Sequence, residues 1–234
     1  MSLLNQKGLN LLDSNDVLSI ITFEKSESQK SVSKLNISDI FKDKTIVVFG
    51  LPGAFTPTCS STHLPRYEQL NEEFKKNGVD DIYCVSVNDP FVMTAWGKSQ
   101  GIEKTKLIAD GNGTFTELMG MLVSKEDLDF GNRSWRYSAI IKDGVIVEHF
   151  VEPEIEGDPC EVSDADTMFK LITPEQKPKD DVTIFTKEGC NFCFDAKKLL
   201  KDNGFCFTEV SLDDSIRNKV LRSISPNKTI VPQI

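Results

Sequence analysis

Two cysteine-bearing loops hold the residues best suited to chemistry. The first is Pro52-Gly-Ala-Phe-Thr56-Pro-Thr-Cys59. It follows Thr45-Ile-Val-Val-Phe-Gly, a β-branched run with the pattern of a buried strand. It precedes a helical pattern with Tyr67, Leu70 and Phe74 on one face and Gly78 as its stop. A cysteine that opens a helix feels free backbone N–H groups and the positive end of the dipole. Both favour thiolate, the nucleophilic form. Thr56 can bring a hydroxyl near the sulfur, and Pro52 stiffens and shields the loop. The plainer reading of such a cysteine is a half-buried turn residue. The second loop is Thr186-Lys187-Glu-Gly-Cys190-Asn-Phe-Cys193, again placed between a strand pattern and a helix pattern. C-x-x-C can be half of a zinc site, but a structural zinc needs four ligands. No second C-x-x-C occurs, and both histidines, His63 and His149, lie far upstream. No metal is therefore expected. The spacing reads as a redox dithiol, with Cys190 the exposed reactive thiol and Cys193 its partner inside the helix.

The elements that must position these loops alternate along the chain. Strand patterns fall at Val17 to Phe23, Thr45 to Gly50, Asp81 to Val87 and Thr105 to Asp110. Arg136 to Phe150 reads as a hairpin turning at Asp143-Gly144, and a Ser/Lys-rich turn region is expected around Ser26 to Ser33. Helix patterns fall at Asn36 to Phe41, after Cys59, from Pro90, at Thr114 to Met121 and at Ser163 to Ile172. The polar, proline-containing stretch 173–180 reads as a linker. Beyond it a β-α-β pattern begins: Val182 to Thr186, Cys190 to Asn203, then Phe205 to Val210, followed by a helix at Ser215 to Ile224. In the first of these helices Phe192, Ala196, Leu199 and Leu200 fall at core spacing. The expected class is α/β with two domains, 1–172 and 181–234, each a mixed sheet flanked by helices.

Composition sets the outer bounds. The 234 residues are 39% hydrophobic and 27% charged, an ordinary globular mix. The net charge of −9 argues against nucleic acid or an anionic membrane surface as a partner. No apolar run approaches the roughly 18 residues of a membrane span. The first residues lack the basic and apolar regions of a signal peptide, so the cytoplasm is the expected compartment. Six cysteines are too sparse here for a disulfide framework.

The first loop resembles the peroxiredoxin active-site motif. The longer string Pro52-Gly-Ala-Phe-Thr-Pro-Thr-Cys-Ser-Ser-Thr-His63-Leu-Pro65 is similar to the type-5 (type II) group. Ser86-Val-Asn-Asp-Pro-Phe-Val, Trp96-Gly and Phe130-Gly-Asn-Arg-Ser-Trp-Arg-Tyr extend the resemblance over residues 35–172. It implies peroxide reduction: Cys59 attacks hydrogen peroxide or an alkyl hydroperoxide and becomes a sulfenic acid. It also implies that Thr56 hydrogen-bonds peroxide and sulfur, and that Arg136, rather than Arg133, is the active-site arginine. His63 either shapes the site or packs the helix. A homo-oligomer is implied by the family alone.

The second loop resembles glutaredoxin, with Lys187 ahead of the cysteine pair and Thr229-Ile-Val231-Pro232-Gln233 near the end. That resemblance implies that Lys187, Val231 and Pro232 contact glutathione, which acts as reducing co-substrate with no bound cofactor. A type-5 peroxiredoxin followed by a glutaredoxin is a known bacterial fusion, and the whole chain resembles one. The resemblance breaks off at Ile234, where the family's third strand begins, and a truncated second domain is expected. Three cysteines remain. Cys84 reads as buried or as a resolving thiol, as in some plant type II enzymes. Cys160 resembles the resolving cysteine of animal type-5 enzymes, and Cys206 reads as core. Two other functions stay open: a thioredoxin-dependent peroxidase resolving through Cys160 or Cys84, and a peroxide-sensing interaction protein.

Overall fold

The apolar runs of the sequence become the inner strands of one sheet. The computed structural model describes residues 6–23, 30–155, 159–174, 182–187, 190–202 and 207–212. The chain divides into two units, Met1–Gln176 and Lys177–Ile234. The first unit begins with β1 (Val17–Phe23), β2 (Lys30–Asn36), α1 (Ile37–Phe41) and β3 (Thr45–Gly50). It continues through α2 (Leu64–Lys76), β4 (Asp81–Ser86), α3 (Pro90–Ser99), β5 (Lys106–Ala109) and α4 (Thr114–Leu118). It ends with β6 (Leu122–Ser124), β7 (Asn132–Ser134), β8 (Tyr137–Lys142), β9 (Val145–Val151) and α5 (Ala165–Ile172).

Seven strands form a mixed sheet in the order β2-β1-β5-β4-β3-β8-β9. The three central strands, β5, β4 and β3, run parallel, and β8 joins β3 antiparallel. Parallel strands with both faces covered must be apolar throughout; in β3 and β4 every residue after the first is buried. The α2 helix lays Tyr67, Leu70 and Phe74 on that sheet, with the Tyr67 ring stacked on Phe49 at 4.0 Å. α5 closes over α2, its Phe169 edge-on to Phe74 and its Asp166 forked by Arg66 at 2.7 and 2.9 Å. The hairpin turn is Asp143-Gly144, both with positive φ (46° and 76°), the geometry that Asp-Gly supports between twisted strands.

One expectation for this sheet needs correction. Residues 30–33, read as part of a turn region, belong to β2, which pairs with β1 from Phe23↔Lys30 to Val17↔Asn36. β2 is a sheet edge, and edge strands carry Lys and Ser that blunt further pairing and hide the strand pattern. The ladder of β6 and β7, three residues each, is too short for any periodicity to announce.

The second unit contains β10 (Val182–Thr186), α6 (Asn191–Asp202) and β11 (Phe207–Ser211). The strands pair in parallel, as a β-α-β unit requires. The face of α6 differs from expectation. Cys193 and Leu200 are buried, whereas Phe192 and Leu199 are 76% and 64% exposed. The inward stripe is Cys193, Ala196 and Leu200: Ala196 and Leu200 fall where expected, while Cys193 takes the place of Phe192 and Leu199 faces outward, because the second cysteine itself serves as a core residue. The expected helix at Ser215 to Ile224, together with Cys206, lies outside the described residues. Among the described residues no helix is long and apolar enough to cross a membrane.

Gly50 ends β3 directly opposite Tyr137 of β8, and a Cβ there would collide with the Tyr137 ring. Overpacking of this kind costs about 1–3 kcal/mol. Gly50→Ala is expected to lower stability by that amount, read as an earlier midpoint in denaturant unfolding.

Candidate active site

The site lies beyond the carboxyl end of β3, where a parallel neighbour on one side gives way to an antiparallel one on the other. Open α/β sheets leave a crevice at such a place. The loop from Leu51 to Thr58 is pinned at several points. Leu51 donates to the Val85 carbonyl at 3.1 Å, and Ala54 N–H donates to Asn88 Oδ1 at 3.0 Å. Ser86 Oγ donates to the same Asn88 oxygen at 2.7 Å. Phe55 takes a left-handed backbone conformation (φ 65°), which a bulky residue adopts only when its surroundings impose it. The helix then begins, and Cys59 to His63 form one wide π-type turn ahead of α2. Trp96 of α3 braces this turn, its Nε1–H donating to Ser60 Oγ at 3.0 Å. Cys59 is fully buried, and Pro52 and Thr56 are half-buried beside it in the loop.

Arg136 reaches the sulfur from the opposite direction. β8 runs antiparallel to β3, so its first residue, Tyr137, pairs with the last of β3, Gly50. Arg136 comes one residue earlier and therefore stands at the mouth of the Cys59 loop. Its Nη2 donates to Cys59 Sγ at 3.4 Å, although the two residues are 77 apart in sequence. Only 2% of Arg136 is exposed. The other candidate arginine, Arg133, turns away and donates to the carbonyls of Val87 (2.7 Å) and Phe130 (3.0 Å).

His63 belongs to the same cluster. Arg136 Nη1 lies 2.9 Å from His63 Nδ1, and His63 Nε2 lies 3.2 Å from the Ser163 carbonyl. A guanidinium has only protons to give, so Nδ1 accepts and Nε2 carries the proton it donates to Ser163. Burial, and then the Arg136 charge, lower the His63 pKa to about 3. The imidazole is a neutral, two-sided connector between Arg136 and the segment before α5. Both readings of His63 thus hold together: it packs on Phe49 and Tyr67 and it touches the arginine.

Thr56 departs from the expected contact. Its Oγ1 donates to the Gly53 carbonyl at 2.8 Å, which closes the loop and leaves the hydroxyl oxygen as an acceptor. Cys84 sits in the middle of β4, fully buried, and burial followed by the charge of Cys59 pushes its thiol pKa well up. A thiol held protonated inside a central strand is a poor nucleophile. Cys160 is half-buried ahead of α5.

In the second unit Cys190 and Cys193 are joined as a disulfide, with Cα atoms 5.2 Å apart. Cys190 is half-buried and Cys193 is 2% exposed, the asymmetry expected of an attacking and a buried thiol. Cys193 N–H points at Cys190 Sγ, 3.2 Å away, so the first turn of α6 supplies a donor to that sulfur. Lys187 is exposed just ahead of the pair. Val231 and Pro232 lie outside the described residues.

Sequence reasoning missed Asn88 as a loop anchor, and Glu152 and Ser163 as partners of the arginine cluster. Asn88 lies in the motif Ser86-Val-Asn-Asp-Pro-Phe-Val but carries no chemical signal of its own. The other two are joined to the site only by hydrogen bonds across the fold.

The family model Redoxin matches residues 19–169, and the model Glutaredoxin matches residues 182–234. The chain is 52% identical over 214 residues to Hybrid peroxiredoxin hyPrx5 of Haemophilus influenzae, covering 92% of this chain and 88% of that one. It is 59% identical over 143 residues to Peroxiredoxin sll1621 of Synechocystis, covering 59% of this chain and 76% of the other. Among solved structures it is similar to reduced Prx3 of Vibrio vulnificus in complex with hydrogen peroxide, with a TM-score of 0.62 and 37% identity. That match covers 72% of this chain and 99% of the other. The 1-Cys peroxiredoxin of Plasmodium falciparum matches with a TM-score of 0.65 and 33% identity, over 73% of this chain and 100% of that one.

The neutral His63 makes stability pH-dependent. Its folded pKa, about 3, is depressed from an ordinary 6.5. Its contribution is complete above pH 6.5 and is lost as pH falls towards 3. Well below 6.5 this residue alone lowers the unfolding free energy by about 1.4 kcal/mol per pH unit. Urea unfolding at pH 7 and pH 5 is expected to show a smaller difference for His63→Gln than for the wild type.

Proposed function

Because the chain belongs to the redoxin family and carries a glutaredoxin domain, it is a peroxidase of the peroxiredoxin type, and we propose that Cys59 performs the peroxide step and glutathione supplies the electrons. The observation that carries this reading is the buried Arg136 guanidinium 3.4 Å from Cys59 Sγ. A fixed cation at that distance stabilises the thiolate and the negative charge that develops on a departing oxygen.

In the first step the Cys59 thiolate attacks the terminal peroxide oxygen. The S–O bond forms, the O–O bond breaks, and hydroxide or alkoxide leaves and takes up a proton. Cys59 is oxidised to sulfenic acid and the peroxide is reduced to water or alcohol. The free acceptor face of the Thr56 hydroxyl suits the peroxide O–H, and Pro52 limits water at the sulfur.

In the second step a glutathione thiol condenses with the sulfenic acid, giving a mixed disulfide and water. Cys190 thiolate then attacks the glutathione sulfur, releasing Cys59 as thiolate. A second glutathione, or Cys193, displaces the glutathione held on Cys190. Lys187 lies ahead of the dithiol, where its charge suits a glutathione carboxylate, and the glutaredoxin resemblance implies that the backbone of Val231 and Pro232 holds the glutathione cysteine. Two domains joined through residues 173–180 suit this division of labour, and Cys84, held as a thiol, does not suit resolution.

Steady-state peroxide consumption with glutathione and its reductase, beside thioredoxin and its reductase, tests the proposal. Cys59→Ser should abolish turnover with either donor. Cys190→Ser should lose glutathione-supported turnover and still form one sulfenic acid per chain. Arg136→Ala should lower kcat/KM for peroxide by roughly 10²-fold or more. Turnover with thioredoxin alone would overturn the assignment of glutathione.

A further inference from the structure

The hydrogen bonds around Arg136 form a closed ring whose far side is a carboxylate. Glu152 follows β9 directly. Its N–H donates to the Arg136 carbonyl at 3.1 Å, and its own carbonyl accepts from Trp135 Nε1 at 2.8 Å. Its backbone is therefore fixed to the peptide that carries Arg136. Its side chain reaches the turn ahead of α5. Oε1 accepts from the N–H groups of Glu161 (2.9 Å), Val162 (2.9 Å) and Ser163 (2.7 Å), and from Ser163 Oγ (2.7 Å). The Ser163 carbonyl then accepts from His63 Nε2 and from Tyr67 Oη, and His63 Nδ1 accepts from Arg136.

We propose that Glu152 is a positioning residue for the peroxide step, holding the Ser163 carbonyl where it locks the His63 tautomer that receives Arg136. This rests on the assignment of Arg136 and Cys59 made above. The chain of cause is local at each link. Nδ1 can accept from Arg136 only while the proton stays on Nε2, and it stays there because the Ser163 carbonyl accepts it. That carbonyl belongs to a residue whose N–H and hydroxyl are both held by Glu152. If the turn relaxes, His63 loses its acceptor, the other tautomer turns an N–H towards the guanidinium, and Arg136 is displaced from the sulfur.

The cost of the arrangement points the same way. Glu152 is 1% exposed, and its buried Oε2 has no hydrogen-bond partner among the described residues. An unpaired buried carboxylate oxygen is unfavourable. Holding a turn requires only one well-placed acceptor, so the strain is retained at the residue that joins both ends of the arginine cluster.

The test compares Glu152→Ala, Glu152→Asp, Glu152→Gln and Arg136→Ala. Histidine ring ¹⁵N NMR reads the tautomer, with His149→Gln to assign the two histidines. Stopped-flow oxidation by hydrogen peroxide reads the rate. The wild type is expected to hold the Nε2–H tautomer from pH 5 to 9. Glu152→Gln keeps the acceptor and should retain both tautomer and rate within about threefold. Glu152→Ala and Glu152→Asp, which remove or withdraw it, should mix the tautomers and slow oxidation tenfold or more. Glu152→Asp decides alone if Glu152→Ala does not fold. A wild-type tautomer or a wild-type rate in folded Glu152→Asp overturns the proposal. A wild-type rate in Arg136→Ala would instead overturn the site assignment on which it rests.

Discussion

Burying the Arg136 guanidinium is the constraint around which the first unit is arranged. A cation that is 2% exposed must find acceptors to replace water. Two of those it finds are a sulfur and a ring nitrogen, Cys59 Sγ and His63 Nδ1, both from the same turn at the start of the α2 region. The positive charge lies within hydrogen-bond distance of the sulfur.

That requirement extends outward in layers. His63 must remain neutral to accept, and burial keeps it so at every physiological pH. Its second nitrogen needs an acceptor, which the segment before α5 provides, and that segment is tied back by Glu152. The Cys59 loop needs fixed ends as well, and it takes them from β4 and from Asn88. Each layer satisfies polar groups left by the one inside it, and the cluster becomes rigid for that reason.

The second unit carries a dithiol of a different kind. Cys190 and Cys193 are three residues apart at the start of a helix, so local geometry alone lets them bond. Cys59 has no such neighbour within its own turn. The chain thus carries a buried free cysteine beside a buried cation and a half-buried cysteine held in a disulfide.

Local chemistry was legible in the sequence. The strand-loop-helix setting of Cys59, the C-x-x-C at the start of a helix, the Asp143-Gly144 turn and the Asn36 start of α1 all depend on residues within a few positions of one another. Spacing alone determines such features. Part of the inward face of α6 was misjudged, because a cysteine took a core position that an apolar count assigns to Phe192. β2 was misjudged because edge strands carry polar residues. The partners of the cysteine were decided only in three dimensions. Arg136 meets Cys59 because β8 pairs with β3 in the register that sets Tyr137 against Gly50. Ser163 meets His63 across a separation of 100 residues. Glu152 meets Arg136 because β9 extends the same ladder. Hydrogen-bond direction and strand register have no period in the sequence, so only the folded sheet could bring a cation to the sulfur and join that cation to a neutral imidazole and a carboxylate in one hydrogen-bonded ring.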